Sequence, residues 1–363
     1  MHHYPGLMDM KTILRALILR LFSILVTLFI VTALLYATVM FTPAETRATL
    51  YMPRNFSPRM TEEQLEKMID RIIEKHHLND PYPVQYYYWI SSLLHGTWGY
   101  SPTLQEDVLS AIVKRAPVTA ELTLYSILAF IPLGLISGVF AGSRRNKAAD
   151  HGFRFTAYVA TSLPPFILAL ILMAFFYVEL YWFAPGRTSS TFGSVINSDG
   201  FRQVTGLLTV DGLINGRPDI TLDALRHLVM PVFTLAIVHW ATLGRVTRAT
   251  MIDELSQDYV IAARARGIPE KRITWRHTLR NALAPAFTSS LLSATSLLTG
   301  VFIVEILYNF HGVSDIAVRS MADTPDAPAA LGFAIYSVVV VLILMAVLDL
   351  IQVSLDPRLR ERS

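Results

Sequence analysis

Three ionisable side chains stand inside stretches that are otherwise apolar: His239, Glu305 and Asp349. A titratable group in a hydrocarbon-spanning segment is costly and is by default a functional suspect, as a proton relay or a substrate contact. A proton-coupled carrier needs such groups to meet near the membrane centre. Here His239 falls midway along its stretch, whereas Glu305 and Asp349 fall near the ends of theirs, toward opposite membrane faces, so a structural or gating role competes with substrate contact. Pro164 and Pro165, in SLPPF, must release backbone carbonyls and kink a helix, either to line a pathway or simply to pack. The densest charge lies in DYVIAARARGIPEKRITWRHTLRNALAP, residues 258–285. With Arg245 and Arg248 just upstream, this segment carries eight Lys and Arg.

Enzyme chemistry has little to work with. No G-x-x-x-x-G-K-[ST] loop is present to cradle nucleotide phosphates, no H-E-x-x-H helix to hold zinc, and no G-x-S-x-G elbow to raise a nucleophile. With no cysteine, disulfides, thiolate catalysis and Cys-zinc sites are excluded. The ten histidines are scattered; His2–His3 and His76–His77 are the adjacent pairs, and neither has the i, i+4 spacing of a helical metal site.

The elements that position these residues follow from composition. Of 363 residues, 53% are hydrophobic and 16% charged, against about 25% charged in an average soluble domain. Crossing the hydrocarbon core takes roughly 20 apolar residues as a helix, and six stretches qualify: 21–41, 122–141, 155–177, 228–247, 284–306 and 331–355. The first is too long, and lacks a small-residue cleavage site, to be a removed signal peptide. An even number of spans puts both termini on one side. That side holds Lys11, Arg15 and Arg20, then Arg144, Arg145, Lys147 and Arg154, the eight cations of the central hairpin, and Arg358, Arg360 and Arg362. Short, basic loops mark the cytoplasm, so both termini and the hairpin are expected there.

On the other side lie two long segments. In the first, residues 42–118, Thr61 and Gln64 form a capping-box pattern, with Leu65, Met68, Ile69, Ile72 and Ile73 following at helical spacing. Tyr86, Tyr87, Tyr88 and Trp89 then suggest a helix over 83–95 lying at the outer interface. The second, residues 184–223, is rich in Gly, Ser, Asn and Asp and reads as a loop with little regular structure. Within the second span, Gly134, Gly138 and Gly142 fall four apart and make one narrow face for a neighbouring backbone.

The hairpin reads as two helices. The first runs from about residue 250 to 266, with Met251, Leu255, Tyr259, Ala262 and Ala263 on one face; Gly267 ends it and Pro269 opens the next. The second carries Trp275, Leu279 and Leu283 at four-residue spacing, with Arg272, Arg276 and Arg280 as its polar stripe. Three uses compete: lying on anionic lipid, docking as a helix in a partner's groove, or serving as an ordinary positive-inside loop. The alanine cluster before Gly-Ile-Pro favours the groove, because lipid binding does not need a compact neck.

The stretch DYVIAARARGIPEKRITWRHTLRNALAPAFT closely resembles the cytoplasmic EAA loop of the inner-membrane permeases of ATP-binding-cassette (ABC) importers, in particular the dipeptide, oligopeptide and nickel permease family. Ala262, Ala263 and Gly267 match the motif; Ile261 replaces its leading Glu, and its ending is met loosely by residues 279–285. LNDPYPVQYYYWISSLLHGTWGYS, TGLLTVDGLINGRPDITLDALRHLVMPVFTLA and VSLDPRLR resemble the same family in the same order, so the likeness covers most of residues 14–360. The long external segment after the first span is similar to that of the B-type subunit.

The resemblance implies an all-α integral membrane protein of the type I ABC importer permease fold, with six transmembrane helices. Its parts would be an N-terminal tail and first helix (1–41), an external segment with interfacial helices (42–118), a five-helix permease core (119–355) containing the external loop 184–223 and the coupling loop 248–283, and a cytoplasmic tail (356–363). It implies a permease for dipeptides or oligopeptides, in the inner membrane, with no catalytic site of its own. The partners would be a second homologous permease, two cytoplasmic ABC subunits that bind ATP and Mg, an extracytoplasmic substrate-binding protein docking on 42–118, and membrane lipid, but no nucleic acid. Tyr259, Ala262, Ala263, Ala265, Arg266 and Gly267 would form the surface docked on the ATPase, with Arg264, Arg272 and Arg276 at its rim or on lipid. The alternatives are a gradient-driven secondary transporter or channel, which would depend on His239 or Glu305, and an intramembrane enzyme, for which no nucleophile–base pair is recognisable.

Overall fold

Hydrocarbon offers the backbone no hydrogen-bond partner, so apolar stretches of this length fold into helices that satisfy their own amides. The structure, a computed structural model, describes residues 10–52, 61–322 and 326–355. Side chains are described within residues 18–347, apart from 53–60, 284, 287, 291 and 323–325.

In chain order the helices are α1 (Met10–Val39), α2 (Ala44–Ala48), α3 (Glu62–Lys75) and α4 (Tyr82–Leu94). A short antiparallel pair follows, β1 (Tyr100–Ser101) and β2 (Glu106–Asp107), with Tyr100 opposite Asp107. Then come α5 (Val108–Gly142), α6 (Ala148–Ser162), α7 (Pro165–Leu172), α8 (Ser190–Ile196), α9 (Leu208–Ile214) and α10 (Pro218–Leu255). The chain finishes with α11 (Asp258–Ala265), α12 (Glu270–Arg272), α13 (Leu279–Leu307), α14 (Ser314–Ser320) and α15 (Ala327–Leu355). Two π-helical segments, Met173–Glu179 and Ile273–Thr278, extend α7 and lead into α13.

Among the described residues five helices are long and apolar enough to span a membrane: Ile18–Val39, Val108–Gly142, Pro218–Leu255, Thr288–Leu307 and Ala327–Val347. The pair Ala148–Ser162 and Pro165–Glu179, bent by 99°, makes a sixth if it is one span. The expected kink at Pro164–Pro165 is therefore a break. Each proline disfavours the α conformation in the residue before it, and two in a row hold Leu163 (φ −98°, ψ 122°) and Pro164 (φ −56°, ψ 140°) extended. Helices α5 and α10 run well beyond the apolar stretches 122–141 and 228–247.

The chain divides into two compact units: one joins the chain up to Ala116 with Val313–Ile343, and the other joins Pro117–Gly312 with the chain from Leu344. The first is built around aromatic and capping interactions. Tyr36 of α1, fully buried, stacks on Trp89 at 4.9 Å, and Tyr82 donates its hydroxyl to the Ala33 carbonyl at 2.6 Å. Part of the aromatic run in α4 is thus spent on packing rather than on an outward belt, while Tyr87 remains exposed. The capping box at α3 forms as read: Thr61 Oγ1 accepts from Gln64 N, and Thr61 N donates to Gln64 Oε1 at 3.2 Å. Asp326 accepts from Ser101 Oγ (2.6 Å), Thr103 Oγ1 (2.7 Å), Thr103 N and Ala329 N, tying the β-hairpin to the first turn of α15. Glu106 accepts from Lys114 and Arg115 at 2.6 and 2.7 Å.

In the second unit the glycine face of α5 meets α10. A Cβ on Gly138 would stand 2.6 Å from Thr247 Cβ and 2.7 Å from the Gly244 carbonyl oxygen; one on Gly142 would stand 2.9 Å from the Arg248 carbonyl oxygen. The close approach anticipated from the four-residue spacing is real. Leu235, Leu243, Leu297, Val301 and Val304 form the buried seam of α10 and α13, closed at one end by Tyr308, whose hydroxyl lies 3.0 Å from Thr234 Oγ1.

Residues 184–223 hold more regular structure than the loop expected from their composition. Helices α8 and α9 and the connection between them bury Ile196, Leu208 and Phe201 against Ile220 and Ala224 of α10. Three carboxylates collect the segment's polar hydrogens. Glu121 accepts from Arg187 Nη2 (2.7 Å), Thr209 N and Thr209 Oγ1; Asp211 accepts from Thr205 N, Thr205 Oγ1 and Gly206 N; Asp223 accepts from Thr188 Oγ1, Ser189 N and Ser189 Oγ. Gly, Ser and Thr here supply donors and tight turns, not disorder.

Candidate functional site

The site with the most defined geometry is the hairpin between α10 and α13. The expected first helix, 250–266, is two helices. Residues 250–255 belong to α10, where Met251 and Leu255 pack with Val139, Leu279 and Ala282. The backbone then turns at Ser256 and Gln257, the latter extended at ψ 152°, before α11 begins. Met251 and Leu255 therefore do not share a face with Tyr259 and Ala262, as continuous periodicity had implied.

Helix α11 is short, yet it is held from behind and stopped sharply. Val260 (0% exposed) and Ala263 (8%) pack against Ile273, with Ile268 at the edge. Gly267, at φ +75°, takes the left-handed position that ends the helix. Its amide donates to the Arg264 carbonyl at 2.9 Å and the Ile268 amide to the Ala263 carbonyl at 3.2 Å, satisfying carbonyls that the helix end leaves open. The outward side carries Tyr259, Ile261, Ala262, Ala265 and Arg266, all exposed, with Ile261 at 59%. Of the six residues singled out on this loop, Ala263 alone turns inward. Ile261 was noted only as a departure from a motif, although its exposure makes it the largest apolar projection on α11.

Charge around α11 is partly neutralised. Arg264 Nε donates to Glu270 Oε1 at 2.6 Å, a hydrogen bond that holds the Glu270 carboxyl below its usual range. Tyr259 donates to Glu254 Oε2 at 2.8 Å; partial burial, then this carboxylate, raise the phenol above its ordinary value, so it remains a neutral donor. Arg266, Arg272, Arg276 and Arg280 remain exposed. The second hairpin helix differs from its sequence reading at one point. The π-helical turn shifts the phase, so Ile273, Thr274 and Thr278 are buried and Trp275 is 43% exposed.

Above the hairpin, Asp150 of α6 is fully buried and grips Arg248 of α10 through two bonds, Nε to Oδ1 and Nη2 to Oδ2, the latter 2.8 Å. The Asn146 amide donates to the same Oδ2 at 2.9 Å. Sequence reasoning had counted Arg248 as part of a basic loop and passed over Asp150. The signal available was a lone acid following Arg144, Arg145 and Lys147.

The remaining suspects have separate surroundings. His239 is half-buried with its ring 5.6 Å from Phe130. Glu305 is 1% exposed, its carboxylate folded against Gly312 where no side chain intervenes. Pro164 is exposed and Pro165 half-buried at the break between α6 and α7. Asp349 belongs to α15, but its side chain lies outside the described residues, as do residues 1–9 and the tail 356–363.

Residues 131–361, which contain the broken span, the clamp and the hairpin, match the family model for the inner membrane component of binding-protein-dependent transport systems. The chain belongs to this family. It is a multi-pass inner-membrane protein. This permease is similar to the probable D,D-dipeptide transport system permease protein DdpB of Escherichia coli (strain K12), 33% identical over 81% of this chain and 85% of that protein. It is also similar to the oligopeptide transport system permease protein AppB of Bacillus subtilis (strain 168), 31% identical over 80% of this chain and 84% of the relative. The di/tripeptide transport system permease protein DppB of Pseudomonas aeruginosa (strain UCBPP-PA14) is 29% identical over 94% and 98% of the two chains.

Proposed function

We propose that this permease forms half of the translocation pathway of an ATP-driven importer of dipeptides or oligopeptides, and that α11 is its coupling helix. A second homologous permease completes the pathway, two ABC subunits bind ATP and Mg in the cytoplasm, and an extracytoplasmic binding protein delivers the peptide. The permease carries no catalytic site. Peptide as the substrate class is supported by the names of its relatives, which are permeases of oligopeptide, di/tripeptide and D,D-dipeptide transport systems.

The observation that carries the coupling role is the build of α11: a short rod, buttressed by Val260, Ala263 and Ile273, stopped by Gly267, and presenting small residues with Tyr259 and Ile261 outward. A helix buttressed from behind and small in front suits a groove on a partner. Ordering a flexible segment on binding would cost free energy that a pre-formed rod avoids. Closure of the ATPases on ATP draws the coupling helices together, and the spans open toward the binding protein.

The test is transport by the reconstituted complex. Labelled alanyl-alanine or trialanine is expected to accumulate in proteoliposomes only when the ABC subunits and ATP are present. Accumulation by the permease pair alone, driven by an ion gradient, would overturn the proposal.

A further inference from the structure

Helix α10 connects directly to the hairpin, and Arg248 lies about two turns before its end at Leu255. Asp150 lies in the first turn of α6, where the helix N-terminus favours a carboxylate. The pair is unlike the other ion pairs around the hairpin. Its carboxylate side chain is 0% exposed and the guanidinium 20%, whereas Arg264 and Glu270 are 46% and 62% exposed. It is bidentate, and a bidentate guanidinium–carboxylate contact fixes orientation as well as separation. Stability alone does not explain it, because an apolar pair of similar volume commonly holds as firmly as a buried ion pair.

The rest of the α6–α10 contact has the same character. Phe153 packs into the space left by Gly244, where a Cβ would stand 2.7 Å from the ring, and Ala157 and Ala160 pack close to Ala241. Helix α6 is thus clamped at its inner end and seamed along α10, and its other end is the 99° break at Leu163–Pro164. A helix fixed to α10 in this way moves with it, and the break at its far end is where that movement reaches α7. We infer that the Asp150–Arg248 pair is the strut that passes movement of α11 from the inner end of α10 to the broken span α6–α7, an inference that rests on α11 being the coupling helix. Asp150 and Arg248 are positioning residues: they act through the helices they join.

The chain has no cysteine, so introduced labels are unique. Spin labels at Ser256→Cys, in the turn before α11, and Ile171→Cys, on the exposed side of α7, report the distance between the two ends of the proposed linkage. In the full complex ATP is expected to change this distance. In Asp150→Asn, which keeps the size and removes the charge, the complex should assemble and retain basal ATP hydrolysis while the ATP-driven change falls at least threefold. Arg248→Lys, which keeps charge but not the fork, should give an intermediate change. A staple with no part in transmission would lower melting temperature and yield but leave the distance change per assembled complex intact, and that result overturns the inference. Should Asp150→Asn fail to assemble, Arg248→Lys decides, and a full-sized change in it overturns the inference equally. No ATP-dependent change with Asp150 and Arg248 intact would instead refute the coupling role of α11.

Discussion

Adding one methyl group at Gly138 tests whether the crossing of α5 and α10 is as close as described. An alanine Cβ there would lie 2.7 Å from the Gly244 carbonyl oxygen and 2.6 Å from Thr247 Cβ. Ordinary contact lies near 3.5 Å, so the helices must separate by roughly 0.8 Å, and a backbone oxygen cannot swing aside as a side chain would. Overpacking of this kind costs about 2–3 kcal/mol, while alanine returns about 0.5–1 kcal/mol of helix propensity. The net loss is about 2 kcal/mol, or roughly 4–8 °C in melting temperature for a unit of this size. Gly152, on α6, supplies the control: nothing stands within 4 Å of its Cβ position. Gly152→Ala should therefore gain about 0.5–1 kcal/mol and melt slightly higher. Thermal unfolding of both purified variants in one detergent, followed by tryptophan fluorescence, provides the comparison. Equal melting points, or a Gly138→Ala variant more stable than Gly152→Ala, would refute the close crossing.

Gly267→Val places a β-branched residue at φ +75°, a strain of about 1–3 kcal/mol; the chain should insert normally while peptide-stimulated transport falls at least tenfold, measured in proteoliposomes. Ala263→Trp should have the same effect for a different reason, by forcing α11 away from Ile273, and its loss of transport should accompany a protease-sensitive hairpin. Glu106 predicts a pH effect: burial pushes its carboxyl up, but hydrogen bonds from Lys114 and Arg115 outweigh this and leave it below its usual value. A carboxyl depressed on folding stabilises at pH above its unfolded value, about 4.3, and that contribution disappears as pH falls through the lowered folded value. The melting-temperature gap between the natural chain and Glu106→Gln should therefore be full at neutral pH and close as the solution is acidified below about pH 4.

Much of the architecture was legible because it depends on local rules. Thr61 and Gln64 announce a helix start, Gly267 a helix stop, and the spacing of Gly134, Gly138 and Gly142 a close crossing; each signal is contained in a few consecutive residues or one helical period. What escaped depends on partners far apart in the chain. The donors of residues 184–223 resemble loop chemistry until Arg187 is seen to pair with Glu121, 66 residues before it, and Ser189 with Asp223, 34 residues after it. The inward turn of Ala263 depends on Ile273 lying behind it, and the phase of the second hairpin helix depends on a π turn that no 3.6-residue pattern encodes. Pro164 and Pro165 gave the location of a distortion but not its size, because the angle is set by how α6 and α7 each pack.

The account turns on the outward side of α11 meeting an ATP-hydrolysing partner, and a cysteine-directed photo-crosslinker reads that contact directly. Attached at Ile261→Cys, which is 59% exposed, it should join the permease to its ABC subunit; attached at Val260→Cys, which is fully buried one residue away, it should not. Crosslinking of position 261 to lipid alone throughout ATP turnover would contradict the account.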